Sequence, residues 1–173
     1  GVRAREGEPD PRAAQRPQVL LLGRRVPPAS RRLLSANDPT VGPRGVARLD
    51  ALVNREAQPS IAAGRTDELT LEPMHRLMAA LGDPQRAYPV IHVTGTNGKG
   101  SVVAVAATLC QAMGLTVGTY TSPHLQRVNE RIGWSGGAIG DAELDRVLDE
   151  VGDVAEAIGV TPSYFELLTA AAF

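Results

Sequence analysis

The nine residues Val93-Thr94-Gly95-Thr96-Asn97-Gly98-Lys99-Gly100-Ser101 constrain this chain more than any other stretch. An apolar run from Pro89 to Val93 leads into a loop holding three glycines, a lysine and a serine, and an apolar-periodic segment starts at Val102. That is the strand, loop, helix order of a nucleotide-binding P-loop. Glycines let backbone N–H groups converge and let a phosphate approach without meeting a Cβ, while the helix behind adds unpaired amide donors and the positive end of its dipole. Lys99 is the only lysine in the chain, and its compact ammonium suits the outer phosphates better than a guanidinium would. The Ser101 hydroxyl at the helix start can serve Mg²⁺ or a phosphate oxygen. The candidate nucleotide-binding residues are therefore Gly95, Thr96, Asn97, Gly98, Lys99, Gly100 and Ser101, with Lys99 also the candidate catalytic group. The spacing departs from the common GxxxxGK[ST] form, because Val93 stands six before Lys99 and Gly100 separates lysine from serine.

Charge divides the chain. Residues 1 to 48 hold ten of the seventeen arginines against four acids, whereas the remainder holds fifteen acids against eight basic residues. The first part, rich in Arg, Pro and Ala with one apolar island at Val19-Leu20-Leu21-Leu22, reads as a disordered extension. It lacks the interleaved aromatics and lysines of a nucleic-acid arm. Residues 49 to 173 read as the N-terminal part of a truncated ATP-binding domain. Cys110 stands alone, so a reducing, cytoplasmic setting is the default, and no apolar run approaches the roughly 18 residues a membrane span needs.

Periodicity predicts a short helix from Arg48 to about Ala57 with Leu49, Leu52, Val53 and Ala57 on one face, then loop chemistry over Gln58 to Arg65. A second helix has Thr70 as its cap, Pro73 in its first turn, a stripe of Met74, Leu77, Met78 and Leu81, and Gly82 at its end; His75 falls on its polar side. Pro89 to Thr94 reads as a strand buried on both faces. The helix after the loop is expected to pack through Val102, Val105, Ala106, Leu109 and Met113 and to stop at Gly114. Leu115 to Tyr120 completes a right-handed βαβ unit, so Thr121-Ser122-Pro123-His124-Leu125 leaves its strand at the phosphate edge. A hairpin is expected around Ser135-Gly136-Gly137. Asp141 is expected to cap a long helix carrying Leu144, Val147, Leu148, Val151, Ala155 and Ile158. Ser163 and Glu166 have capping-box spacing at the start of a last helix. The fold class is α/β, a P-loop domain with a mostly parallel sheet flanked by helices.

Three motifs together resemble one family. His92 to Ser101 (HVTGTNGKGS), Tyr120 to Ile132 (YTSPHLQRVNERI) and Ser163 to Phe173 (SYFELLTAAAF) resemble the bifunctional dihydrofolate synthase and folylpolyglutamate synthase family, relatives of the Mur ligases. The resemblance implies a Mur ligase central-domain type of fold and an ATP-dependent carboxylate-amine ligase in folate biosynthesis. There, ATP phosphorylates a carboxylate of dihydropteroate or a folate, and L-glutamate displaces the phosphate. It further implies Ser122 as a Mg²⁺ ligand, Ser163, Tyr164, Phe165 and Glu166 as substrate-binding residues, and a substrate contact near Asp67 to Thr70. ATP and Mg²⁺ are the cofactors implied, and the protein is expected to be a monomer acting on small molecules, without nucleic-acid or membrane partners. The downstream acidic and histidine segments of the family are absent from the 173 residues, so the chain alone is expected to lack ligase activity. A Mur-type cell-wall ligase and a non-catalytic P-loop module are the alternatives.

Overall fold

The computed structural model describes residues 18–23, 43–52, 70–134 and 136–173. Its strands are β1 (Gln18–Gly23), β2 (Val90–Val93), β3 (Thr116–Tyr120), β4 (Ile132–Trp134) and β5 (Gly137–Ala138). Its α-helices are α1 (Arg44–Asp50), α2 (Glu72–Ala80), α3 (Lys99–Ala112), α4 (Asp141–Ala157) and α5 (Tyr164–Ala172). The expected loop over Gln58 to Arg65, the helix end at Ala57 and the turn residue Ser135 lie outside the described residues.

The sheet order is β2-β1-β3-β4-β5. β1 runs antiparallel to β2 on one side and to β3 on the other, so β2 and β3 are parallel to each other, as the crossover through α3 requires. Among the described residues each hydrogen-bonded strand pair is nonetheless antiparallel, where the sequence reading expects mostly parallel neighbours. Two causes are visible. An upstream strand enters between the parallel pair, and β4 returns beside β3 and pairs with β5 as the expected small hairpin. Two elements lie before residue 49. The apolar island is long enough for one strand and becomes β1, and α1 begins at Arg44.

Tyr120 and Ile132 face each other across β3 and β4. With Leu49, Leu77, Leu144, Leu148, Leu167 and Leu168 they form the larger core, joining α1, α2, α4 and α5 to the sheet. Val117, an odd number of positions from Tyr120, points to the opposite face and packs with Val103 and Ala107 of α3. Helices thus cover both faces.

Two packing expectations need correction. α3 buries Val103 and Ala107, and of the predicted stripe only Ala106 packs against them; Val102, Val105, Leu109 and Met113 are 52%, 60%, 60% and 77% exposed. The helix is apolar on nearly every side, so periodicity alone does not choose a face. β2 is an edge strand, with Val90 and Ile91 exposed rather than buried on both faces. α2 keeps its predicted stripe, with Leu77 and Met78 buried, but its N-cap is Leu71 and not Thr70, whose Oγ1 accepts the Glu72 N–H at 3.2 Å from one residue further out. His75 is exposed.

α4 buries Leu144, Leu148, Val151 and Ala155. Its N-cap is Gly140, without a side-chain cap bond, and the Asp141 carboxylate instead accepts from Asn129 Nδ2 and pairs with Arg127. α1 crosses α4 closely enough that Gly45 is required: a Cβ there would lie 2.0 Å from the Asp145 carbonyl oxygen. Arg48 runs over Gly152 and pairs with Asp149 and Asp153.

Candidate functional site

The sheet register brings the two candidate loops to one edge. Val19 of β1 pairs with His92 on one side and with Tyr120 on the other. Gly95 and Ser122 follow those two residues, so both loops leave the sheet at the same level, separated by two strand spacings or roughly 10 Å.

On the first side, Gly98 takes φ 77° and serves as the N-cap of α3, a conformation a side chain would resist. The Gly98 carbonyl accepts the Val102 N–H at 2.9 Å, so the helical ladder starts there and the amides of Lys99, Gly100 and Ser101 precede it. A Cβ placed on Gly95 or Gly98 would meet nothing within 4 Å; the approach to those amides is open. Thr96, Asn97, Gly100 and Ser101 are exposed around it. Lys99 Nζ folds back over the loop and donates to the Gly95 carbonyl at 2.6 Å and the Thr96 carbonyl at 3.0 Å. These features fit a phosphate: converging donors, an ammonium within the same loop, and no side chain in the way.

On the second side, Ser122 is 4% exposed and precedes a cis peptide to Pro123. Residues that sequence reasoning left without a role hold this segment. The Glu130 carboxylate accepts the N–H groups of Leu125, Gln126 and Arg127 at 2.7, 3.1 and 3.0 Å. Those bonds, Leu125 first and then Arg127, hold its carboxyl below the usual range, because they favour the charged form. Glu130 stands three after Arg127, the N-cap of a 3₁₀ turn, Val128–Arg131, and its carboxylate reaches back to the N-cap N–H. Arg131 is 1% exposed; its Nε donates to His124 Nδ1 at 2.8 Å and its guanidinium lies 5.5 Å from the Tyr164 ring centre.

The third segment closes on itself. The Ser163 hydroxyl accepts the Glu166 N–H at 3.3 Å, and Glu166 Oε2 accepts the Ser163 N–H at 2.8 Å, the reciprocal pair that capping-box spacing implies. Tyr164 is buried, whereas Phe165 is half-buried with its ring 6.1 Å from that of Tyr120 at the end of β3. Ser163 to Glu166 therefore sits beside the strand that delivers Ser122. Of the Asp67 to Thr70 stretch only Thr70 is described, and it serves α2.

A divalent cation finds less here. Among the described residues no group of three or more His, Cys, Asp or Glu side chains could hold a metal ion, and the loops supply hydroxyls from Ser101 and Ser122. A hard cation takes six or more oxygens, usually with carboxylates among them, so the described side chains provide only part of such a shell. No helix among them is long and apolar enough to cross a membrane.

An open glycine cradle thus lies between a sheet edge and a helix N-terminus in an α/β fold. More particularly, the chain is similar in sequence and in fold to the dihydrofolate and folylpolyglutamate synthases. It is 43% identical over 104 residues to the dihydrofolate synthase/folylpolyglutamate synthase of Bacillus subtilis, an alignment covering 58% of this chain and 24% of that protein. It is 54% identical over 68 residues to the folylpolyglutamate synthase of Lacticaseibacillus casei, covering 39% of this chain and 16% of that one. A solved FPGS complex with AMPPCP and folate superposes with a TM-score of 0.58 at 31% identity, over 74% of this chain and 30% of that one. The bifunctional enzyme of Yersinia pestis, solved with AMPPNP and Mn ion, gives 0.59 at 26% identity, over 80% and 31%. No family model matches the chain. The chain spans a quarter or less of the length of these curated relatives.

Proposed function

We propose that this chain carries the ATP-gripping part of a ligase that adds L-glutamate to dihydropteroate, tetrahydrofolate or both. The observation behind this reading is the shared register at Val19, which sets the Gly95–Ser101 cradle and the Ser122 loop side by side; similarity to synthases solved with AMPPCP and folate supplies the substrates. In the reaction, the γ-phosphoryl of ATP passes to a substrate carboxylate oxygen and ADP leaves. The glutamate amine then attacks the acyl carbon, losing a proton as phosphate departs. The cradle amides and Lys99 orient the phosphates and neutralise their charge. Mg²⁺, when bound, offsets further phosphate charge, with the Ser122 hydroxyl as a ligand from this chain. Ser163 to Glu166 contacts the substrate beside Tyr120. The protein works as a cytoplasmic monomer on small molecules.

Calorimetric titration of the purified chain with ATP and Mg²⁺ tests the reading. The expected result is saturable binding that weakens at least tenfold in Lys99→Met, since a bond to a charged group contributes about 1.5–3 kcal/mol. With dihydropteroate and L-glutamate added, the chain is expected to bind nucleotide without accumulating ADP. Binding unchanged by Lys99→Met would overturn the cradle assignment, and ADP with amide product from the chain alone would show that it carries the whole site.

A further inference from the structure

The pair His124 and Arg131 holds the Ser122 segment but has no chemical role in the reading above. Arg131 Nε donates to His124 Nδ1 at 2.8 Å. A guanidinium only donates, so Nδ1 must accept, and the ring proton of this tautomer sits on Nε2. Both flanks of His124 are fixed. The Arg131 carbonyl accepts the Thr121 N–H at 2.8 Å, and Glu130 takes the Leu125 N–H. Arg131 itself is buried against the Tyr164 ring, so one guanidinium ties the Ser122 loop to the start of α5. His124 is only half-buried, and Nε2–H is its remaining donor, with a cation behind the ring strengthening that N–H.

We propose that His124 is a ligand-contacting residue whose Nε2–H donates to an oxyanion held between the Gly95–Ser101 cradle and the Ser163–Phe165 segment, with Arg131 the positioning residue that fixes its tautomer. The inference rests on the nucleotide and folate reading above. The oxyanion has two possible sources, a terminal phosphate oxygen of ATP or the carboxylate of dihydropteroate.

Proton–nitrogen correlation spectra of the chain's histidine rings test it, with the His124 signals identified by their loss in His124→Gln. The expected pattern is a protonated Nε2 and a bare Nδ1, replaced by a mixture of tautomers in Arg131→Met. Titration with ATP and Mg²⁺, and separately with dihydropteroate, is expected to shift the Nε2 signal with one of them, which names the source. Affinity for that ligand is expected to fall about tenfold in His124→Leu, and to return to within about threefold in His124→Gln, whose amide places an N–H donor near Nε2. A protonated Nδ1 overturns the proposal whether or not ligands bind. Lys99-dependent ATP binding with a His124→Leu variant that binds both ligands like the parent overturns this proposal alone. A chain that binds neither ligand overturns the nucleotide reading and this inference together.

Discussion

The Glu166 carboxylate closes back on the Ser163 N–H at 2.8 Å while the Ser163 hydroxyl takes the Glu166 N–H at 3.3 Å. Two residues assigned to substrate binding are thus each other's partners at the start of α5. Ser163→Ala is expected to cost about 1 kcal/mol, the usual value of an N-cap, read from the urea midpoint. If the same variant leaves dihydropteroate affinity unchanged, the capping role accounts for Ser163 and substrate contact falls to Phe165.

The face of α3 that packs is checked by a contrasting pair. Val103 is 2% exposed and Leu109 is 60% exposed. Val103→Ala is expected to lose about 2 kcal/mol of stability, and Leu109→Gln to stay within about 0.5 kcal/mol of the parent. Denaturant unfolding of both variants gives the answer, and the reverse ranking would restore the stripe that periodicity favours.

That contrast shows how much was legible beforehand. The cradle, the βαβ order and the Ser163 capping box are local patterns, set by residues within a few positions of each other. α4 was readable because its polar and apolar positions alternate cleanly, with Leu144, Leu148, Val151 and Ala155 on one side. α3 carries few polar residues, so its buried face is decided by where Val117 lies on the neighbouring strand. Local pattern favours Asp141 as a cap, but its carboxylate is taken by Arg127 and Asn129, more than ten residues upstream. The antiparallel entry of β1 leaves no trace in local periodicity at all.

Gly45 brings the backbone of α1 directly against that of α4. Gly45→Ala would set its Cβ 2.0 Å from the Asp145 carbonyl oxygen and 2.7 Å from the Asp149 nitrogen, contacts that only a shift of α1 relieves. A loss on the order of 3 kcal/mol is expected, which calorimetry would record as a melting temperature lower by roughly 10 °C.

Glu130 sets an acid limit on the Ser122 loop. Its carboxyl is held below the ordinary value by the N–H groups it accepts, that of Leu125 foremost. A depressed folded value means that its contribution is complete above the ordinary carboxylate value and disappears as pH falls through the lower, folded one. The amide resonances of Leu125, Gln126 and Arg127 are expected to move together over that acidic window. In Glu130→Gln the window is expected to vanish, with the three amides already displaced at neutral pH; independent movement of the three would refute a common acceptor.

The strand that aligns the two halves of the site reaches them from far along the chain: Gln18 must find Val93, and Val19 must find both His92 and Tyr120. Such pairings raise contact order, and closing long loops before any reward slows folding. Helices α4 and α5 are adjacent in the chain and pack within the larger core, so they can associate through nearer neighbours, and the phosphate edge is expected to be among the last parts to assemble. Time-resolved hydrogen exchange during refolding would then record protection in α4 and α5 before β2.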